Sequence, residues 1–235
     1  MAIRPGGELA ARPLHFIWIC DCSGSMVVDG KIQSLNTAIR EAIPHMQRIA
    51  DENPNAKVFV RAIRFSNGAQ WHIAEPVKVE SFRWDDLRAD GVTDMGAALM
   101  MVADELRRLP DRGLPPVLVL ISDGQPTDDF QTGLRAILGQ PWGQKAVRMS
   151  IAIGEDADLE ILQEFIANPE IKPLRANSPE ALVRYIKWVS TAVLKSASAP
   201  ASQNTQQANT LTTNVPVPAP PVDSDQENIT AIDVW

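Results

Sequence analysis

Three short stretches of this sequence gather the oxygen-bearing side chains that could act together. The first is Asp21-Cys22-Ser23-Gly24-Ser25-Met26. The second is Gly91-Val92-Thr93-Asp94-Met95-Gly96. The third is Ser122-Asp123-Gly124. In an extended loop alternate residues point the same way, so Asp21, Ser23 and Ser25 can converge on one point. Carboxylate and hydroxyl oxygens are hard ligands, which favours Mg²⁺, with Mn²⁺ or Ca²⁺ as alternatives, over zinc or copper. Two carboxylates (Asp21, Asp123) and three hydroxyls (Ser23, Ser25, Thr93) leave room for an outside oxygen in a Mg²⁺ shell. Neutral hydroxyls keep the ion electrophilic, so an aspartate or glutamate of a partner protein suits the open position. Taken singly, each stretch is also ordinary local chemistry: a polar turn, a threonine capping the next helix, a Ser-Asp-Gly turn.

The elements that must carry these loops can be read from periodicity. His15–Cys20 is an apolar run that reads as a buried strand, and Ile32, Leu35, Ile39, Ile43, Met46 and Ile49 recur at helical spacing. Pro44 falls inside that helix and predicts a kink near Arg40 to Ile43. Lys57–Phe65 alternates as a strand. Asn67-Gly68 signals a hairpin, with Gln70–Ile73 returning antiparallel. Leu99, Val102, Leu106 and Leu109 mark a second helix. Val117–Ser122 reads as a central strand buried on both faces. A helix over 128–138, a strand over 146–153, a helix over 159–166 and a short strand over 171–175 follow. Ser178-Pro179-Glu180 is a strong helix start. Alternating strands and helices imply a doubly wound, mostly parallel six-stranded α/β sheet of order 3-2-1-4-5-6, with one antiparallel edge strand and helices on both faces. In that order strands one and four are neighbours at the switch point. Their carboxyl-end loops, and so Asp21 and Asp123, meet where open α/β sheets bind ligands.

The bulk properties narrow the classes further. The chain has 235 residues and a net charge of −7. It is long enough for one domain and a tail. No basic stripe supports nucleic-acid binding. Two cysteines on either side of Asp21 make no disulfide framework, which fits a cytoplasmic setting. They are read as small buried residues. No apolar run is long enough to span a bilayer, and no secretory signal is evident. Residues 1–13 form an N-terminal extension, 14–195 the domain, and 196–235 an Ala/Ser/Thr/Pro-rich tail. The tail has four acids and no Lys or Arg, which leaves −3 for the rest. Its composition predicts disorder. Its last eight residues, Asn228–Trp235, regain β-branched and aromatic character and could dock on a partner.

The motifs CDCSGSM, GVTDMGAAL and ISDGQPTDD resemble those of von Willebrand factor type A domains, over about residues 13–195. The last run looks particularly like the bacterial, tellurium-resistance-associated TerY-like group. The resemblance implies a metal-ion-dependent adhesion site. Asp21, Ser23 and Ser25 would hold the ion, Thr93 and Asp123 would act directly or through water, and an outside carboxylate would fill the open position. One departure is Val92, where related sequences often carry a second glycine. The TerY-like group is associated with PP2C-type phosphatases and protein kinases, so the resemblance implies such partners.

Enzyme readings find less support. A phosphotransferase using Asp21 as nucleophile would want a further carboxylate just after it, and none stands there. No Gly-x-Ser-x-Gly surrounds Ser23 or Ser25, and no Gly-x-x-x-x-Gly-Lys loop occurs. His15, His45 and His72 lie outside the three motifs and read as structural. A scaffold acting through its tail is the third possibility, with Thr205, Thr210, Thr212 and Thr213 as acceptors for a partner kinase.

Overall fold

The computed structural model describes residues 11–155, 157–199 and 215–221. Six strands form one sheet in the order β3-β2-β1-β4-β5-β6. They are β1 (Arg12–Asp21), β2 (Ala56–Ser66), β3 (Gly68–Lys78), β4 (Val117–Ser122), β5 (Val147–Ile153) and β6 (Leu174–Ala176). All neighbours are parallel except β2 and β3, which form the antiparallel edge. The expected topology is the observed one.

The strands form because their residues are buried on both faces. In β4, Val117, Val119 and Ile121 join one core while Leu118 and Leu120 join the other. β1 does the same, with Phe16, Trp18 and Cys20 on one side and Ile17 and Ile19 on the other. The first core is roofed by α1 (Lys31–Asp51), α6 (Pro179–Trp188) and α7 (Leu194–Ser198). The second is roofed by α2 (Met95–Arg108), α3 (Phe130–Leu138) and α5 (Leu159–Ile166), with the short α4 (Pro141–Lys145) beside them. Helices α2 and α3 approach closely because glycines face each other. A Cβ on Gly133 would stand 2.6 Å from the Gly96 carbonyl oxygen and 2.8 Å from the Leu99 Cβ.

Several local expectations are revised. α1 continues as one helix past Pro44, with its buried stripe of Leu35, Ile39, Ala42, Met46 and Ile49 on either side. The edge strand extends to Lys78, because pairing with β2 continues past Ile73. The last strand starts at Leu174, three residues later than the apolar pattern suggests. Gly24–Gly30 contains short 3-10 turns interrupted by non-helical backbone at Val28 and Asp29, which periodicity does not reveal.

Some residues beyond 195 are described. Helix continues to Ser198, whose hydroxyl accepts from Asn53 Nδ2 at 2.7 Å. Val215 is buried against the first core, Val217 packs on it, and Ser196 Oγ donates to the Pro216 carbonyl. Expected disorder therefore does not extend to 215–221. Thr205, Thr210, Thr212, Thr213 and the stretch Asn228–Trp235 lie outside the described residues.

Candidate metal site

Asp21 is the last residue of β1, and Ser122 the last of β4. The two strands pair from Phe16↔Val117 to Cys20↔Ile121, so both chains leave the sheet at the same edge. This adjacency places Asp21 beside Ser122 and Asp123.

A hydrogen-bonded arc then runs through the first loop. Asp21 Oδ1 accepts from the Ser23 amide at 2.8 Å, and Asp21 Oδ2 accepts from the Ser122 hydroxyl at 2.5 Å. The Ser23 and Ser25 hydroxyls are 2.9 Å apart, and Ser25 Oγ donates to Asp123 Oδ1 at 2.7 Å. Asp21, Ser23 and Asp123 are buried. The fold thus brings four of the five sequence-predicted residues into one hydrogen-bonded chain, joined through the Ser23 amide and the side-chain oxygens.

Thr93, the fifth, stands near Gly124. A Cβ on Gly124 would lie 3.7 Å from Thr93 Oγ1 and 4.0 Å from Ser25 Oγ. The missing side chain leaves a small cradle between those hydroxyls. Thr93 does not cap α2. That helix takes its N-terminal acceptors from Asp128, whose two oxygens receive the Gly96 and Ala97 amides at 2.7 Å each. Val92 is 46% exposed.

The segment Phe82–Asp94 that delivers Thr93 is long and has no regular structure. Its position comes from main-chain bonds to the first loop. The Asp90 amide donates to the Cys22 carbonyl at 2.7 Å, and the Gly24 amide to the Gly91 carbonyl at 2.9 Å. The Asp94 amide donates to the Ser66 carbonyl at 2.9 Å. Further back, buried Asn36 of α1 binds the segment through both ends of its amide. It donates to the Leu87 carbonyl and accepts from the Leu87 amide and Trp84 Nε1, all within 3.0 Å.

The electrostatics fit a cation. Burial pushes the Asp21 carboxyl up from its usual range; bonds from Ser122 and Ser23 oppose this, and the nearby Asp123 charge adds to it. Two carboxylates in a buried, hydroxyl-lined place are stabilised by a positive charge between them. Among the described residues no group of three or more His, Cys, Asp or Glu is placed to hold a metal. Cys20 and Cys22 are free and buried. Burial pushes the Cys22 thiol up to about 12, with Asp21 adding to the rise, and raises Cys20 as well. Neither is a ready thiolate ligand.

Two contributors escaped the sequence reading. Ser122 ends a strand and opens the third stretch in the sequence, but its pattern does not predict that its hydroxyl fixes Asp21. Lys31 was not singled out, yet its Nζ lies 2.7 Å from Asp123 Oδ2. The signal available was a cation at the first position of a helix, the end that favours anions.

No family profile and no curated protein matches the chain by sequence. Solved structures do match by shape. A von Willebrand factor type A protein from Catenulispora acidiphila aligns with a TM-score of 0.61 at 18% identity, over 78% of this chain and 43% of that one. The ArnB paralog VWA2 from Sulfolobus acidocaldarius aligns at 0.56 and 19%, over 74% and 44%. Proximal thread matrix protein 1 from the mussel byssus, solved with a zinc-occupied MIDAS motif, aligns at 0.58 and 16%, over 77% and 48%. The chain spans less than half the length of each of these proteins. With its six-stranded order and its oxygen-lined edge over β1 and β4, this chain has the von Willebrand factor type A fold.

Proposed function

We propose that this chain is a metal-ion-dependent protein-binding module. A divalent cation, Mg²⁺ first and Mn²⁺ or Ca²⁺ as alternatives, would be held by Asp21, Ser23, Ser25, Thr93 and Asp123. The observation that carries this is the connected arc of Asp21, Ser23, Ser25 and Asp123, with Thr93 Oγ1 beside Gly124. The zinc-occupied MIDAS motif of the mussel protein, on the same fold, supports a divalent ion as the occupant. When bound, the ion supplies an electrophilic point for a carboxylate of a partner protein.

The chain's own groups do the remaining work. Ser122 and the Ser23 amide hold Asp21 in one orientation, and Gly124 keeps the space open. Asp21 is fully buried and doubly hydrogen-bonded, which suits a fixed ligand and does not suit a nucleophile that must reach a substrate. We therefore read the domain as a binder and not an enzyme. The likeness of ISDGQPTDD to the TerY-like group supports a narrower proposal: a cytoplasmic tellurite-resistance-type signalling system in bacteria, with a PP2C-type phosphatase or a protein kinase as partner. Among the described residues no helix is long and apolar enough to cross a membrane.

The test is capture of a candidate phosphatase or kinase with and without EDTA, by wild type and Asp21→Ala. Capture is expected only for wild type with metal present. Calorimetry showing undiminished Mn²⁺ affinity in folded Asp21→Ala would place the site elsewhere. Turnover of ATP or a phosphoester by the purified protein with Mg²⁺ would replace the binding role with an enzymatic one.

A further inference from the structure

The site already receives a cation from the chain itself. Lys31 Nζ lies 2.7 Å from Asp123 Oδ2; the aspartate side chain is 0% exposed and the lysine side chain 18%. Helix electrostatics do not explain this lysine. It is the first residue of α1, where the dipole disfavours a positive charge, and the first turn holds no acid to offset it. Its room is made by another element. Gly154, just past β5, has φ +83°, and a Cβ there would stand 3.3 Å from both Cε and Nζ of Lys31. The start of α1 and the ends of β4 and β5 therefore converge to lodge one ammonium on one candidate ligand.

The charge balance gives this a consequence. Asp21 and Asp123 carry two negative charges when ionised, enough to neutralise a dication alone. With the Lys31 ammonium beside them, the loaded site would be left with one positive charge. One carboxylate from outside would restore neutrality. We propose that Lys31 is a tethered cation that weakens the hold of the site on a free dication, so that the ion is held tightly only together with an acidic partner group. This rests on the metal reading above. Like charges a few ångströms apart in a partly buried place repel strongly enough to change affinity by about ten-fold or more.

The experiment is Mn²⁺ titration by calorimetry of the full chain, comparing wild type with Lys31→Met and Lys31→Gln. Urea midpoints establish that each variant is folded. Both neutral variants are expected to bind Mn²⁺ at least about ten-fold more tightly than wild type, or to bind it where wild type does not. Mn²⁺ binding by both neutral variants that is equal to or weaker than wild type would overturn the proposal and leave the metal reading standing, with Lys31 as a structural partner of Asp123. Failure of all three proteins to take up Mn²⁺ at millimolar concentration would overturn both.

Discussion

Ser122 shows how much one hydroxyl can matter at this edge. Its hydrogen bond to Asp21 Oδ2 fixes the carboxylate that the first loop builds on. Removing a group that orients a metal ligand typically costs about 10–100-fold in affinity. Ser122→Ala is expected to lose Mn²⁺ affinity in that range and to cost about 2–3 kcal/mol of stability by urea denaturation, since a buried carboxylate loses a hydrogen-bond donor. His15 gives a separate, pH-dependent prediction. Its ring stacks on Phe59 with centroids 5.5 Å apart, and its Nδ1 is buried without a hydrogen-bond partner. Burial lowers its pKa from the ordinary 6.5, with Glu105 opposing and Arg61 assisting. The unfolded chain therefore binds the proton first as pH falls, so this residue withdraws stability below about pH 6.5. His15→Phe should lose less stability than wild type between pH 7.5 and pH 5.5 in urea titrations. An equal loss in both would exclude His15 as the cause. Asp21, Ser23 and Ser25 were legible in the sequence because their two-residue spacing is itself geometric. Ser122 and Lys31 were not. Their roles depend on strand register and on the convergence of three distant segments, which no local pattern encodes.

At the scale of elements, the sheet order was legible because each strand has its own apolar signature. The route of Phe82–Asp94 was not. That segment is positioned by main-chain bonds and by Asn36, a polar residue on the otherwise apolar face of α1. Asn36→Ala is expected to lower metal affinity without touching the ion, by loosening the segment that carries Thr93. Hydrogen exchange should report faster opening of the Leu87 and Asp90 amides. Unchanged exchange would show that the main-chain bonds suffice. Arg148 is a second polar anchor. It lies buried on β5 and donates to the carbonyls of Phe165, Ile166 and Gly143, at the end of α5 and within α4. Burial without a carboxylate partner lowers its pKa to about 10. Arg148→Met would leave those carbonyls unpaired, at a cost of about 2–4 kcal/mol by urea denaturation.

For the whole molecule, the two ends of α1 serve different purposes. Its first residue touches the candidate metal site, while Asn53, just beyond its last turn, binds Ser198 at the other end. The segment 215–221 also belongs to the first core, through Val215 and Val217. A chain ending at Ala199 should lose about 1–2 kcal/mol of stability from the uncovered valines. Its Mn²⁺ affinity should match that of the full chain, because the five candidate ligands lie elsewhere. A parallel fall in affinity would mean that the tail acts on the site. Composition alone suggested a free tail here. The valines of VPVPAPP do not stand out against so much proline and alanine, and only the folded surface that receives them makes the difference.

The main-chain bonds between the first loop and the Asp90–Gly91 turn have one more consequence. They join backbone to backbone, so these particular bonds do not depend on which side chains the loops carry. Val27, Val28 and Val92, all strongly exposed, are free to differ without disturbing the oxygens beneath. The rim is in this sense interchangeable. A designer could rewrite these three positions to redirect the domain to a new target while leaving its ion-holding floor as it is.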